Sequence, residues 1–538
     1  MNSAVWRRNL EIVSNITRWH MLNSGTHVRN AVSWLRHSHI DTKNEHAKLK
    51  ISDGNFPLIQ KHLQNYVTRN GDLFCRNSGC HFHSFTSSTL LHLQHNNTVF
   101  SKRHRRKKNI YEMKPKQTKD DVENMDVFQY VGERSKPARR LYVWGYAHTG
   151  ALGIPTFVKV KGTGKQPRKY QVTPYRLDLN DRISKVACGC GFTLFSSRQT
   201  NSRKVWGTGM NTDSQLGLQT ISGTAGRVLD YVIQPATIDL PLYKPLSTRV
   251  VQVACGRAHS IILTDQEGVF SIGNNSYGQC GRPVIENEKY QANPTMHRIK
   301  QLGNSVVQIC CGHDHSLFLT EDGRVYSCGW GADGQTGLGH FNTVSEVSEL
   351  EGDIKGEKIT KVTSFSDCCL ALSENGKVFG WGNSEYNQLS RITQHSQVNT
   401  PIHLPFDGVG KVVDIATGGT MCAILNDAGS VFVWGYGILG KGPNLSQSHR
   451  PEHIPDALFG KTQYKSDVQV TKIVCGLHHF AAVNSLGELF TWGRNDNGCL
   501  GLGHRNDQYF PLKVHLAGEV IEVSCGADHT VVLAKTFI

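Results

Sequence analysis

Two short patterns alternate along this chain from Leu141 onward, and they fall out of step at its ends. The first is a strand that closes on a glycine: Gly145, Gly207, Gly273, Gly329, Gly382, Gly435 and Gly493, spaced 53 to 66 residues apart. Trp144, Trp206, Trp381, Trp434 and Trp492 precede five of these, and Ile272 and Cys328 take the place in the other two. The second is a Cys-Gly pair at Cys188, Cys255, Cys311, Cys475 and Cys525, with degenerate copies beginning at Ser364 and Thr417. The halves sit 18 or 19 residues apart, yet the chain opens with a lone Trp-Gly half (141–153) and finishes with a lone Cys-Gly half (523–534). A hairpin of this size is not stable alone in water, so copies must pack on copies. The split ends predict that the last half pairs with the first. Seven like sheets then close into a ring, which leaves only short protected edges. A linear stack of hairpins leaves the split unexplained. The expected fold is all-β: a seven-bladed β-propeller over residues 138–538, with N- and C-terminal strands sharing one blade.

The copy at residues 308–340 is the clearest. Cys311-Gly312, His315-Ser316 and the apolar run after them predict a strand. Residues 320–323 end in Asp-Gly, a hairpin turn signal, and 325–330 predict the return strand. The Gly-rich turn 331–339 follows. Longer inserts at 219–249, 283–303 and 441–470 carry Pro, Tyr and charge. They are expected as loops on the faces, where partners are usually met.

Repeat slots also sort the candidate functional residues. The Cys of each pair occupies one slot on different blades, which suits a small buried hydrophobe better than a cluster. The total of 15 is odd and no secretory leader precedes it, so a reduced protein is expected. Four residues on, the slot holds His259, His315, His479 and His529, but Phe192, Cys368 and Met421 elsewhere. Catalysis or metal binding would not tolerate that mixture; a histidine hydrogen-bonded inside its own blade would. The slot just before holds Gly191, Ala258, Asp314, Asp367, Thr420, His478 and Asp528. No packing pattern accounts for it, leaving ordinary polar strand ends or a recognition surface. No P-loop, zinc-hydrolase helix or G-x-S-x-G elbow occurs. Gly437 to Gly442 lacks the Lys-Ser/Thr and the helix of a phosphate loop. A regulator that works by binding is expected, with no catalytic residue, cofactor or metal.

Charge separates the first part of the chain from the repeats. Residues 1–140 hold 24 Lys+Arg against 11 Asp+Glu; the rest hold 35 against 33. The excess therefore says little about a nucleic-acid-binding propeller. Residues 1–40 contain one acid, Glu11, with Arg7, Arg8, Arg18, Arg29 and Arg36 spread along them. Trp6, Leu10, Val13, Ile16 and Trp19 recur at helical spacing. This is the composition of a mitochondrial transit peptide. Residues 41–137 are rich in His, Asn, Ser and Lys and are expected to be a disordered basic linker. Within it, Cys75, Cys80, His81 and His83 have no zinc-site spacing. The basic run 101–108 suits an RNA contact, a nuclear signal or a solvated linker. No run of 18 apolar residues occurs, so there is no transmembrane-helix candidate.

The period is longer than the ~40–45 residues of a WD40 repeat, and Trp is followed by Gly. From Arg140 to Ile538 the chain resembles the regulator-of-chromosome-condensation family of seven-bladed propellers. In the nuclear exchange factor that founds it, acidic and His residues of the variable slot line the channel mouth that meets a small GTPase. The resemblance therefore makes Asp314, Asp367, His478 and Asp528 the GTPase-facing candidates. QYVGER (129–134), NNSYGQCGR (274–282), FGWGNSEYNQL (379–389), FVWGYGILGKGPNL (432–445) and LAKTFI (533–538) resemble the mitochondrial branch. That branch implies guanine-nucleotide exchange on the dynamin-like GTPase of inner-membrane fusion. It also implies a part in mitochondrial ribosome biogenesis, with rRNA and assembly factors as partners and no DNA. The expected location is the mitochondrial matrix or, peripherally, the inner membrane. A scaffold for ribosome assembly without exchange activity and a nuclear chromatin-associated exchange factor are the alternatives. A tagged full-length chain is expected to reach mitochondria and one lacking residues 1–40 to stay outside; imaging both checks the leader.

Overall fold

The inner strands of this protein are short, begin on or just before a buried aliphatic residue and bury another three positions later, and are closed by Cys, Ser or Thr: Ile183–Cys188, Val250–Cys255, Val306–Cys311, Ile359–Ser364, Val412–Thr417, Val470–Cys475 and Glu519–Cys525. In the computed structural model each forms one edge of a four-stranded antiparallel sheet. The structure describes residues 139–155, 169–179, 181–197, 204–221, 226–389 and 395–536. The expected transit peptide, the linker, its Cys and His residues and the basic run lie outside the described residues.

Each inner strand packs against the inner strands on either side, so the seven sheets are blades around one axis, a seven-bladed β-propeller. Blades 1 to 6 are continuous: residues 183–238, 250–299, 306–349, 359–404, 412–454 and 470–513. Blade 7 combines Arg139–Tyr146 and Tyr170–Leu177 with Glu519–Cys525 and His529–Lys535. Its central seam is antiparallel, with Arg139 opposite Lys535, Tyr142 opposite Val532 and Gly145 opposite His529. The turn holding Ala527 belongs to the same sheet, so the terminal halves do meet as their split implies.

The second strand of every blade is buried along its whole length, as in His315–Thr320 and His529–Lys535 up to its last residue. Neighbouring blades cover both of its faces, which is why it reads as a continuous apolar run. Cys311 and His315, read from sequence as parts of one strand, belong to two. Cys311 ends the inner strand, Gly312 to Asp314 turn, and His315 begins the second.

Two further expectations are corrected. The glycine opposite the start of the second strand is Gly209 in blade 1, paired with Phe192 as Gly329 is with His315. Gly207 and Trp206 therefore lie two residues out of the repeat slot, and Thr208 occupies the position of the other tryptophans. Trp206 is half-buried and its indole donates to Asp181 at 2.8 Å. The slip arises because the hairpin between Phe192–Ser197 and Val205–Met210 is longer than in the other blades. A slip of two also keeps every side chain on its face. The three inserts are not simply loops either. They carry the outermost strands of blades 1, 2 and 5, Tyr231–Ile238, Met296–Ile299 and Gln447–Ile454, and a short 3₁₀ helix, Asp456–Phe459. Outer strands pair on one side only and are half exposed, so no apolar alternation marks them. Pro174, Pro235, Pro401, Pro451 and Pro511 lie within five of them, a position that only a sheet edge accommodates.

Val531, Val532, Leu533 and Ala534 are all within 1% of complete burial. Burying each of the three larger side chains contributes about 1.5–3 kcal/mol. A chain ending at Ser524 is therefore expected to lose its single cooperative thermal transition in circular dichroism, rather than melt a few degrees lower.

Candidate functional site

Equivalent positions on the seven inner strands, third in six of them and fourth in Glu519–Cys525, carry Lys185, Gln252, Gln308, Lys361, Asp414, Lys472 and Glu522. All of these except Lys472 bond blade to blade. The Gln252 amide exchanges two hydrogen bonds with the Ile309 backbone, at 2.8 and 2.9 Å, and Gln308 does the same with Val362. Lys361 pairs with Asp414, whose other oxygen accepts from the Ile473 amide at 3.1 Å. Lys185 pairs with Glu522 at 3.1 Å across the closing junction.

At one end of the axis, seven turns join inner to second strands. Their backbones are linked around the mouth: Cys190 to Gly256, Arg257 to His313, His313 to Ser366, Gly419 to Leu477, Leu477 to Gly526 and Ala527 to Gly189. The carbonyl of the last turn residue is fixed in every blade. At Asp314 it accepts from the Trp330 amide at 2.8 Å, at Asp367 from Asn383, at His478 from Arg494 and at Asp528 from Tyr146. The glycine before each of those donors, Gly329 for example, has positive φ, and a side chain there would strike the same carbonyl. The variable slot is thus held on a rigid backbone at the channel mouth.

The repeat histidines hold that backbone from beneath, and their partners correct the expectation of bonds within one blade. His259 Nε2 meets Ser316 Oγ at 3.0 Å, His315 meets Cys369 Sγ at 3.2 Å, His479 meets Thr530 at 2.9 Å and His529 meets Thr193 at 2.8 Å. Every partner lies in the next blade. Ser316 and Thr530 spend their own protons on the carbonyls of Gln279 and Cys499, so Nε2–H of His259 and His479 must be the donor. Nδ1 of His259, His315 and His479 is buried without a partner, consistent with neutral rings. Burial pushes His259 and His479 down to about 3 and His315 to about 4. His529 differs, because its Nδ1 lies 3.0 Å from Asp528 Oδ1. Burial opposes its charge, but the Cys188 sulfur and Asp528 outweigh that and raise it to about 10. Met421 has Phe480 opposite it in the next blade, where a hydroxyl would have no donor to receive.

Four of the five tryptophans stand in equivalent slots. The indoles of Trp144, Trp381 and Trp434 donate to the carbonyls of Cys499, Gln335 and Gln388 in the preceding blade, at 2.7 to 2.9 Å. Trp492 is fully buried with Nε1 unpaired, stacked on Phe480 at 5.1 Å. In the preceding turn, Gly437 to Gly442, a side chain on Gly440 would strike the indole nitrogen.

Of the four GTPase-facing candidates, the structure brings Asp314 and Asp367 into one cluster. Asp314 Oδ2 pairs with Arg257 at 2.6 Å, and burial raises its carboxyl against that pull. Asp367 Oδ1 accepts from Gln335 at 3.0 Å and Oδ2 lies 3.8 Å from His313 Nδ1. Burial disfavours its charge, yet the neighbouring His313 brings it down to about 2. His478 stands apart beside Arg494, with burial pushing it down to about 4. Asp528 is committed to His529. Arg257 and His313 were missed from sequence. They fill the slot two residues after the Cys, which also holds Cys190, Ser366, Gly419, Leu477 and Ala527. Its variability was the available signal. No group of His, Cys, Asp and Glu among the described residues has metal-binding geometry.

Known proteins resemble the chain over the same stretch. Residues 140–196 and 204–263 match the regulator of chromosome condensation (RCC1) repeat, as do 250–279, and residues 291–536 match the RCC1-like domain. The mouse RCC1-like G exchanging factor-like protein is 56% identical over 422 residues, 77% of this chain and 91% of that protein. Its human counterpart is 56% identical over 419 residues, 77% of this chain and 90% of that protein. The crystal structure of human WBSCR16 superposes with a TM-score of 0.71 at 55% identity, covering 74% of this chain and all of that one. Prp20p of Saccharomyces cerevisiae shares the fold, with a TM-score of 0.60 at 21% identity, over 75% of this chain and 92% of that one.

The histidines generate a pH prediction. A neutral buried His has a folded pKa below its unfolded value, so its contribution is present above pH 6.5 and lost as pH falls toward 4. His529 has the opposite sign: its contribution is present below pH 6.5 and lost as pH rises toward 10. Stability measured by denaturant titration is expected to fall between pH 6.5 and 4.5 by on the order of 1–2 kcal/mol per neutral histidine. His479→Gln is expected to be less stable at pH 7 and to show a shallower acid slope.

Proposed function

We propose, from the premise that this chain belongs to the regulator of chromosome condensation (RCC1) repeat family, that its propeller acts by binding, as a guanine-nucleotide exchange factor-like regulator. The observation that carries this reading is the paired acidic cluster at the channel mouth: Asp314 on Arg257 and Asp367 on His313 and Gln335. An exchange factor makes and breaks no bonds. It binds the nucleotide-free GTPase more tightly than the loaded form and so shifts the equilibrium. Carboxylates held at a rigid rim can trade an internal cation for a cation of the GTPase's nucleotide pocket. Because each carboxylate stays paired through the trade, the desolvation cost of an unpaired charge is avoided.

The arginine-rich, acid-poor residues 1–40 support a mitochondrial location, and the resemblance to the mitochondrial branch supports a dynamin-like fusion GTPase as the partner. The same resemblance supports a role in mitochondrial ribosome biogenesis at the matrix side or the periphery of the inner membrane. With 35 Lys+Arg against 33 Asp+Glu from residue 141 on, contact with ribosomal precursors through proteins is favoured over wrapping of RNA.

Release of a fluorescent GDP analogue from mitochondrial GTPases tests the first reading. The full-length protein is expected to accelerate release from one of them. Asp314→Asn with Asp367→Asn is expected to reduce that acceleration at least about tenfold, about 1.4 kcal/mol of coupling, with the melting transition retained. Unchanged release across the panel would overturn exchange, and recovery of ribosomal precursors in a gentle pull-down would then favour the assembly role.

A further inference from the structure

Pro174, Pro235, Pro401, Pro451 and Pro511 occupy one equivalent position on five outermost strands. Each directly precedes the residue that pairs two places before the repeat glycine: Tyr175 with Val143, Ala236 with Gly207, Ile402 with Gly380, Glu452 with Val433 and Leu512 with Thr491. The same register puts Val347 there in blade 3, before Ser348 opposite Ser327, and Met296 in blade 2, before His297 opposite Ser271. A proline has no N–H, so the ladder does without this donor and the position's N–H points out from the edge. Packing does not account for the valine, because a side chain on Gly281 would crowd Val347 just as one on Gly153 would crowd Pro235. What the valine adds is the outward donor.

The blade 3 edge also keeps an acceptor. In blades 4, 6 and 7 the carbonyls of Asn399, Tyr509 and Val172 accept from the amides of Gly339, Gly442 and Gly503 in the preceding blade's turn, at 2.9, 3.0 and 2.8 Å. The equivalent carbonyl in blade 3 belongs to Ser345, and the equivalent donor position is Pro283, which has no N–H. The Ser345 carbonyl and the Val347 N–H thus stand two residues apart on an open edge, where one extended strand can donate to the first and accept from the second. Blade 2 offers less: its outermost strand, Met296–Ile299, has four residues, and its Arg298 guanidinium is covered by the Tyr243 ring at 5.6 Å. Glu346 on the blade 3 edge is exposed and has no ion pair among the described residues, and Glu349 pairs with Arg324 at 3.4 Å. Val284 and Ile285, which follow Pro283, are 46% and 59% exposed.

We propose that the edge of Val344–Glu349 is a docking site for an extended segment of a partner protein, which adds to this four-stranded sheet as a further strand and carries Lys or Arg at alternate positions. Backbone bonds to Ser345 and Val347 hold the strand, and Glu346 selects its charge. Pairing of two copies of this chain is disfavoured, because it would bring two acidic edges together. The site is on an outermost strand and not at the channel mouth, so the inference stands whether or not the mouth meets a GTPase.

The test uses the full-length chain and a fluorescent, end-blocked peptide of alternating Thr and Arg. Anisotropy measures its affinity, and hydrogen-exchange mass spectrometry shows where it sits. Saturable binding is expected, with exchange slowed in Val344–Glu349. Val347→Pro, which copies the other five blades, is expected to weaken binding at least about tenfold while keeping the thermal transition. The same peptide N-methylated throughout keeps its charge but has no backbone donor, and it is expected to bind as weakly. Unchanged affinity in a folded Val347→Pro overturns the proposal, and so does equal binding of a Thr-Glu peptide. Should Val347→Pro fail to fold, the N-methylated peptide decides: weaker binding supports the proposal and equal binding overturns it. A dimer in sedimentation that Val347→Pro abolishes would assign the edge to a second copy and overturn the basic-strand reading.

Discussion

The pairing of Arg139–Tyr146 with His529–Lys535 is the contact that turns a row of blades into a ring. Its cost is the entropy of bringing together residues roughly four hundred apart. The length-dependent part of that cost is about 5 kcal/mol, because it grows only as the logarithm of the loop. Against it stand Val143, Trp144, Val531, Val532 and Leu533, all buried to 1% or less, at about 1.5–3 kcal/mol for each of the aliphatic side chains. Burial along the seam therefore outweighs the length-dependent cost. Once it forms, blades 6 and 1 both gain a neighbour, and no inner strand is left at an open end.

Everything at the channel mouth inherits its position from that closure. The backbone links between turns, the axial pairs of Lys361 with Asp414 and Lys185 with Glu522, and the histidine bonds to the next blade all run around the circumference. They tie unlike blades together by different chemistry. Amides join blades 2, 3 and 4, ion pairs join 4 to 5 and 7 to 1, and Met421 packs dry against Phe480 between 5 and 6. The acidic cluster occupies only blades 2 to 4. A ring built from like units thus presents a one-sided face, and a partner docking there has one orientation.

Seven-fold repetition and the shared terminal blade were legible because glycine has a physical job at each copy: Gly145 and Gly329 avoid a carbonyl that any side chain would strike. Where two glycines were on offer, in Val205–Met210, spacing chose Gly207 and the steric demand chose Gly209. Sequence also marked the histidine slot as structural, but not its partner. His259 and Ser316 lie 57 positions apart, and only the ring brings them into contact. The outermost strands were hidden because one-sided pairing and exposure remove the apolar alternation that identifies a strand. Of the site, the variable slot could be read, whereas Arg257 and His313 could not, because their role depends on which turns stand next to each other.

The prolines of the outermost strands have a consequence beyond their own blades. A free sheet edge offers unpaired backbone donors and acceptors to any passing extended segment, and templating of this kind is how edge strands nucleate aggregates. Seven such edges surround this ring. Pro174, Pro235, Pro401, Pro451 and Pro511 together remove a donor from each of five of them, so a foreign strand finds no continuous ladder to extend there. Most of the rim that closure cannot protect thus carries, in its own backbone, a residue that opposes strand addition.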